Sequence, residues 1–149
     1  MTKKQESNEM TLTVKALSKN EAFARSAVAA FCVELNPTVE ELSDIKTAVS
    51  EAVTNAVVHG YDNAQEGTIT IFCRVSGDTL HIAVRDDGVG IADLTKALQP
   101  FYTTRPEEER SGMGFTVMES FMDSLHVESA PGRGVCVTME KKIGATKSA

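Results

Sequence analysis

The sequence predicts an α+β fold, a two-layer sandwich with helices on one face of a mostly antiparallel, mixed sheet. Three observations lead there. Two helix-period segments come early in the chain. A strictly alternating stretch then folds back on itself as a hairpin. Repeating β-α-β units, which would signal a parallel sheet, are missing.

The elements follow in order. Residues 1–10 read as a flexible polar lead, and Met10 to Val14 alternates enough for a short strand. Ser18 and Glu21 have the spacing of a capping box. Phe23, Ala27, Phe31 and Leu35 recur every four residues with Val28 beside them, which predicts an amphipathic helix to about Leu35. Asn36-Pro37 breaks it. Thr38 with Glu41 is a second capping box. Val39, Leu42, Ile45, Val49, Ala52, Val53 and Ala56 give the second helix its buried face, and Gly60 is its natural stop. After a polar loop at 61–67, Ile69, Ile71, Cys73 and Val75 alternate, Ser76-Gly77-Asp78 turns the chain, and Leu80, Ile82 and Val84 continue the pattern.

Residues 86–110 are irregular, and so long a loop in a compact domain usually has a function. Helical spacing returns from Gly112 to Asp123 through Phe115, Met118, Phe121 and Met122. Leu125 to Glu128 and Gly134 to Glu140 read as strands, and the tail at 141–149 as flexible. One domain over 1–149 is expected.

Composition narrows the function classes. The formal charge of −6 argues against a nucleic-acid or anionic-membrane partner. No apolar run approaches the roughly 20 residues that span a bilayer, and the first ten residues lack a hydrophobic signal region. The three cysteines, Cys32, Cys73 and Cys136, have neither metal-ligand nor redox spacing, so a reduced, cytoplasmic protein is expected.

Three constellations carry chemistry. Glu51, Asn55 and His59 stand four residues apart, on one face of the second helix. A carboxylate there can take a proton, and an amide oxygen one turn on is a hard ligand suited to magnesium. A solvated polar stripe with His59 favoured by the helix dipole is the plainer alternative. Asp86-Asp87-Gly88-Val89-Gly90-Ile91 follows a strand, where glycines admit close backbone approach and a carboxylate can accept from an exocyclic amine. A simple Asp-Gly turn would look the same. Ser111-Gly112-Met113-Gly114-Phe115 opens a helix, exposing N–H groups that suit an anion. It lacks the lysine and hydroxyl pair of a Walker loop, and no Rossmann unit surrounds it.

The succession of these motifs resembles the Bergerat ATP-binding fold of the GHKL superfamily, over residues of about 45 to 138. Neither a dimerisation helix pair nor a transducer domain is expected from these residues. What remains is similar to the small anti-sigma serine kinases, the anti-sigma F family of sporulating bacilli. The resemblance is carried by Glu21-Ala22-Phe23-Ala24-Arg25, by SEAVTNAVVHGY from Ser50 to Tyr61, and by QPFYTTRPEEERSGMGF from Gln99 to Phe115.

That resemblance implies an ATP- and magnesium-dependent serine kinase. Asn55 would hold the metal, Glu51 would be the general base and Asp86 would read adenine, with Gly88 and Gly90 letting the backbone close in. Gly112 and Gly114 would meet the phosphates, and Arg110 or Arg105 would reach the γ-phosphate unless paired with the Glu107–Glu109 run. His59, Ile91, Thr103, Thr104, Ser111, Met113, Phe115 and Thr138 would complete the nucleotide site. Val135 stands where the superfamily often has Thr, and Thr138 lies three residues on.

Residues 92–110 would form a lid ordered differently by ATP and ADP. The implied partners are a sigma factor of the sigma F type, held inactive, and an anti-anti-sigma factor, phosphorylated on serine. Arg25 would be a partner contact, with an intrahelical Glu21–Arg25 pair as the alternative, and the family implies a homodimer. A nucleotide-binding module without kinase activity and a free-standing ATPase remain as other classes. Intact Glu51 and Asn55 speak against the first, and the missing transducer speaks against the second.

Overall fold

The computed structural model describes residues 7–60, 67–88, 114–129 and 133–144. Five strands, β1 (Asn8–Lys15), β2 (Thr68–Ser76), β3 (Thr79–Asp86), β4 (Ser124–Ser129) and β5 (Val135–Lys142), form one sheet in the order β1-β2-β3-β5-β4. Every described pairing is antiparallel, so the parallel component expected of a mixed sheet is not among them. Helices α1 (Asn20–Phe31), α2 (Val39–Asn55) and α3 (Gly114–Phe121) pack on this sheet. Among the described residues no helix is long and apolar enough to cross a membrane.

The two-residue period of the strands decides which face is covered. Leu12, Ile71, Val84, Val137 and Val127 lie side by side across the sheet, as do Met10, Cys73, Ile82, Met139 and Leu125. These rows meet Ala24 and Val28 of α1, Ile45, Val49, Ala52 and Val53 of α2, and Met118 of α3 in one core. The alternate residues, such as the row Thr11, Phe72, Ala83, Thr138 and His126, project from the other face.

The caps differ from each other. Thr38 and Glu41 form the predicted capping box, with Thr38 Oγ1 accepting from the Glu41 N–H and Glu41 Oε1 from the Thr38 N–H. Ser18 and Glu21 do not. The N-cap of α1 is Lys19, without a side-chain bond, because the Glu21 carboxylate is engaged by Arg25 and Ser50 instead. The buried stripe of α1 matches the predicted one only in part: Val28 is buried and Phe31 and Leu35 pack against the core as expected. Ala24, Val28 and Cys32 are buried, while Phe23 is 56% exposed. Small residues such as Ala24 fit where α1 lies against α2, and the larger Phe23 is left outside. Val39, expected in the core, is 85% exposed at the first position of α2.

Helix α1 tightens into a 3-10 turn at Cys32–Leu35 and stops at Asn36, whose left-handed φ of 53° asparagine tolerates. Helix α2 does not simply end near Gly60. From Ala56 to Gly60 it widens into a π-helical turn, a local insertion often found at functional sites.

Both supposed tails are partly built into the sheet. β1 begins at Asn8, and β5 runs through Lys142 to a buried Ile143, whose N–H bonds the Asp78 carbonyl. The buried Glu41 carboxylate accepts a further bond from the Gly144 N–H at 2.8 Å.

Candidate functional site

The apolar positions of α2 fix which of its polar groups remain accessible. Ile45, Ala48, Val49, Ala52 and Val53 point inward, which leaves Glu51 and Asn55 half-buried, one turn apart. Asn55 is the last α-helical residue, and the π-helical turn that follows lies against β3. His59 belongs to that turn; its side chain lies outside the described residues.

Gly114, the first residue of α3, is buried directly against Asn55. A Cβ added there would lie 2.9 Å from Asn55 Nδ2 and 3.1 Å from Oδ1. Only a glycine brings the helix backbone this near the amide. The start of a helix favours negative charge, and the amide supplies an oxygen ligand beside it. Phe115 is half-buried and packs on the core.

Asp86 ends β3 and shares an inward-facing row with Val14, Ile69 and Val135. It is a carboxylate set into an apolar surface, 4% exposed. Gly88, half-buried, donates its N–H to Asp86 Oδ1 at 2.9 Å. Burial raises the Asp86 pKa above 3.8; the Gly88 and Val135 amides oppose the rise and Asp87 adds to it. Gly134, with φ of 79°, sits so close that a Cβ would fall 2.1 Å from the Asp86 carbonyl oxygen. A buried acceptor held by two backbone amides suits a ligand that donates an N–H.

Thr138 does not join this group. Its register partners are Ala83 and His126, so it projects from the face opposite to Asp86. The residue beside Asp86 on its own face of the sheet is Val135. Sequence reasoning missed this because the pairing of β3 with β5 is not local; counting in twos back from the apolar Val137 would have found it.

Arg25 lies on α1, 2.6 Å from the Glu21 carboxylate. Gly90, Ile91, Thr103, Thr104, Arg105, Arg110, Ser111, Gly112, Met113 and the expected lid at 92–110 lie outside the described residues. Among the described residues no three His, Cys, Asp or Glu side chains group as a metal site. Cys32 and Cys73 are buried and unpaired by disulfide.

The chain is similar to known proteins both in sequence and in fold. Residues 14–141 match the family model of the histidine kinase-like ATPase domain. The chain is 58% identical over 140 residues to an anti-sigma F factor of Thermoanaerobacter sp. (strain X514), covering 94% of this chain and 97% of that one. It is 52% identical over 141 residues to an anti-sigma F factor of Oceanobacillus iheyensis, covering 95% and 97%. Among solved structures, the RsbU and RsbW domains of Rv1364c from Mycobacterium tuberculosis align with a TM-score of 0.64 at 18% identity, over 91% of this chain and 32% of that one. The catalytic domain of the histidine kinase ThkA aligns with a TM-score of 0.58 at 16% identity, over 93% and 97%. These two likenesses concern the fold.

Proposed function

The chain belongs to the anti-sigma F factor family, within the histidine kinase-like ATPase domains, and from that membership we propose that it is a cytoplasmic, ATP-dependent serine kinase that holds a sporulation sigma factor of the sigma F type inactive and phosphorylates a serine of an anti-anti-sigma factor. The observation that carries this reading is the junction of Asn55 with Gly114. It sets an oxygen ligand beside a helix start, where phosphates bind.

ATP is the substrate. Asp86 accepts the exocyclic amine of adenine, and Gly88 lets the backbone lie close to the base. The N–H groups around Gly112 and Gly114 meet the phosphates, and Arg110 neutralises charge that develops on the γ-phosphoryl group. Asn55 Oδ1 would hold magnesium, a hard cation matched to an amide oxygen, which when bound neutralises the triphosphate. Glu51 takes the proton of the partner's serine hydroxyl. The serine oxygen bonds to the γ-phosphorus, the bond from that phosphorus to the β–γ bridging oxygen breaks, and ADP leaves.

Arg25 receives a carboxylate of the partner. The lid at 92–110, with Thr103, Thr104 and Arg105, distinguishes ATP from ADP, so that the two nucleotide states favour different partners. The family relationship supports a homodimer. Incubation with radiolabelled ATP, magnesium and a purified anti-anti-sigma factor tests the reading. Label on a partner serine is expected; release of labelled phosphate without partner labelling would overturn the kinase assignment.

A further inference from the structure

The Glu21–Arg25 pair is more than two charges one helical turn apart. Arg25 Nη1 lies 2.6 Å from Glu21 Oε1. Ser50 of α2 donates its hydroxyl to that same carboxylate oxygen, and Arg25 Nη1 is 3.4 Å from Ser50 Oγ. The Glu21 side chain is 19% exposed, against 41% for Arg25. A solitary pair at this spacing leaves both long side chains free to rotate, which is why such pairs hold weakly. Here a short side chain on a second, packed helix fixes the carboxylate, and the carboxylate fixes the guanidinium.

Among the described residues only Nη1 of Arg25 is engaged. A guanidinium carries five N–H groups in a rigid plane, so Nε and Nη2 keep a free edge of the fork shape that binds carboxylate in two parallel bonds. We propose that Glu21 and Ser50 are positioning residues for partner binding, holding the Arg25 guanidinium by one nitrogen so that its remaining edge is presented, already ordered, to a carboxylate of the partner. The proposal rests on the assignment of Arg25 as a partner contact. Ordering a long side chain beforehand removes a cost otherwise met on association. Ser50 also precedes Glu51 in the chain. The helix that anchors the docking arginine is thus the one that carries Glu51.

The test is a double-mutant cycle on the full chain, read as the Kd for a purified sigma F-type factor, beside ATP affinity and a melting curve. Ser50→Ala should weaken partner binding by roughly 3- to 10-fold, the scale of ordering one long side chain, without a matching change in ATP affinity or Tm. Ser50→Thr, which keeps the hydroxyl, should restore most of it. Adding Ser50→Ala to Arg25→Ala should cost nothing further. Wild-type affinity in Ser50→Ala, or a loss that adds in full to that of Arg25→Ala, would overturn the positioning role. Wild-type affinity in Arg25→Ala would instead remove the partner contact itself, and the proposal with it.

Discussion

Gly114 and Asn55 are in contact across the junction of α3 and α2, with no room for a methyl group between them. The groups in the way are the amide nitrogen and oxygen of Asn55, at 2.9 and 3.1 Å. These are the movable end of a side chain, so the fold can yield there.

Gly114→Ala should therefore leave the protein folded and displace Asn55. Gly114 is the first helical residue, where alanine has little of its helix-interior advantage, so Tm should change little. Affinity for ATP with magnesium should fall about tenfold, roughly 1.4 kcal/mol, and the difference between magnesium and EDTA should shrink. Calorimetry under both conditions checks this. Unchanged magnesium dependence, in this variant or in Asn55→Ala, would exclude Asn55 as the metal ligand.

Glu51→Gln preserves shape and removes the base. Phosphorylation of the anti-anti-sigma factor should drop by roughly 10²-fold or more, while the sigma factor is still retained in a pull-down. Loss of both activities together would make Glu51 a structural residue.

Asp86→Asn should separate stability from binding. Burial raises the folded-state pKa of this carboxyl above 3.8. The folded chain thus holds the proton more tightly than the unfolded one, and the Asp86 contribution to stability declines as pH rises from about 3.8 through the raised value. Above that raised value the ionised wild type carries the loss. The variant should melt higher than wild type at pH 7 and lose this advantage in acid, yet bind ATP poorly. A lower Tm at pH 7 would show that the ionised carboxylate stabilises the fold.

Thiol labelling probes the core. Burial pushes Cys32 to about 11 and Cys73 to about 12. Both stay protonated and unreactive at pH 8. Cys136 is half-buried on the face away from the helices. Native protein should take up one iodoacetamide, at Cys136, and denatured protein three. Rapid native labelling of Cys73 would contradict the packing of β2.

Local features were the legible ones. The hairpin of β2 and β3 and the cap of α2 rest on residues a few positions apart, and both appear where the sequence places them. What was misread depends on distant partners. The capping spacing of Ser18 and Glu21 gave no sign that Ser50, 29 residues away, competes for the same carboxylate. The α1 stripe was assigned by hydrophobicity, whereas close helix contact selected Ala24 over Phe23. Thr138 enters the expected nucleotide site only through the family resemblance, and the register of β5 against β3 turns it to the other face and brings Val135 beside Asp86. The π-helical turn after Asn55 has no residue pattern that announces it, although it lies against β3.

The place of β5 in the sheet also bears on how the molecule comes into being. It is the last described strand in sequence, yet it lies between β3 and β4. As the polypeptide leaves the ribosome, β3 and β4 have no common neighbour until residues 135–142 emerge. Until then both present bare hydrogen-bonding edges, an invitation to pairing with other nascent chains. The joining of β4 to the ladder of β1, β2 and β3 is consequently a late event. A chain that stops short of Val135 would leave one edge of β3 and all of β4 unpaired, the kind of exposed strand edge that templates association between chains.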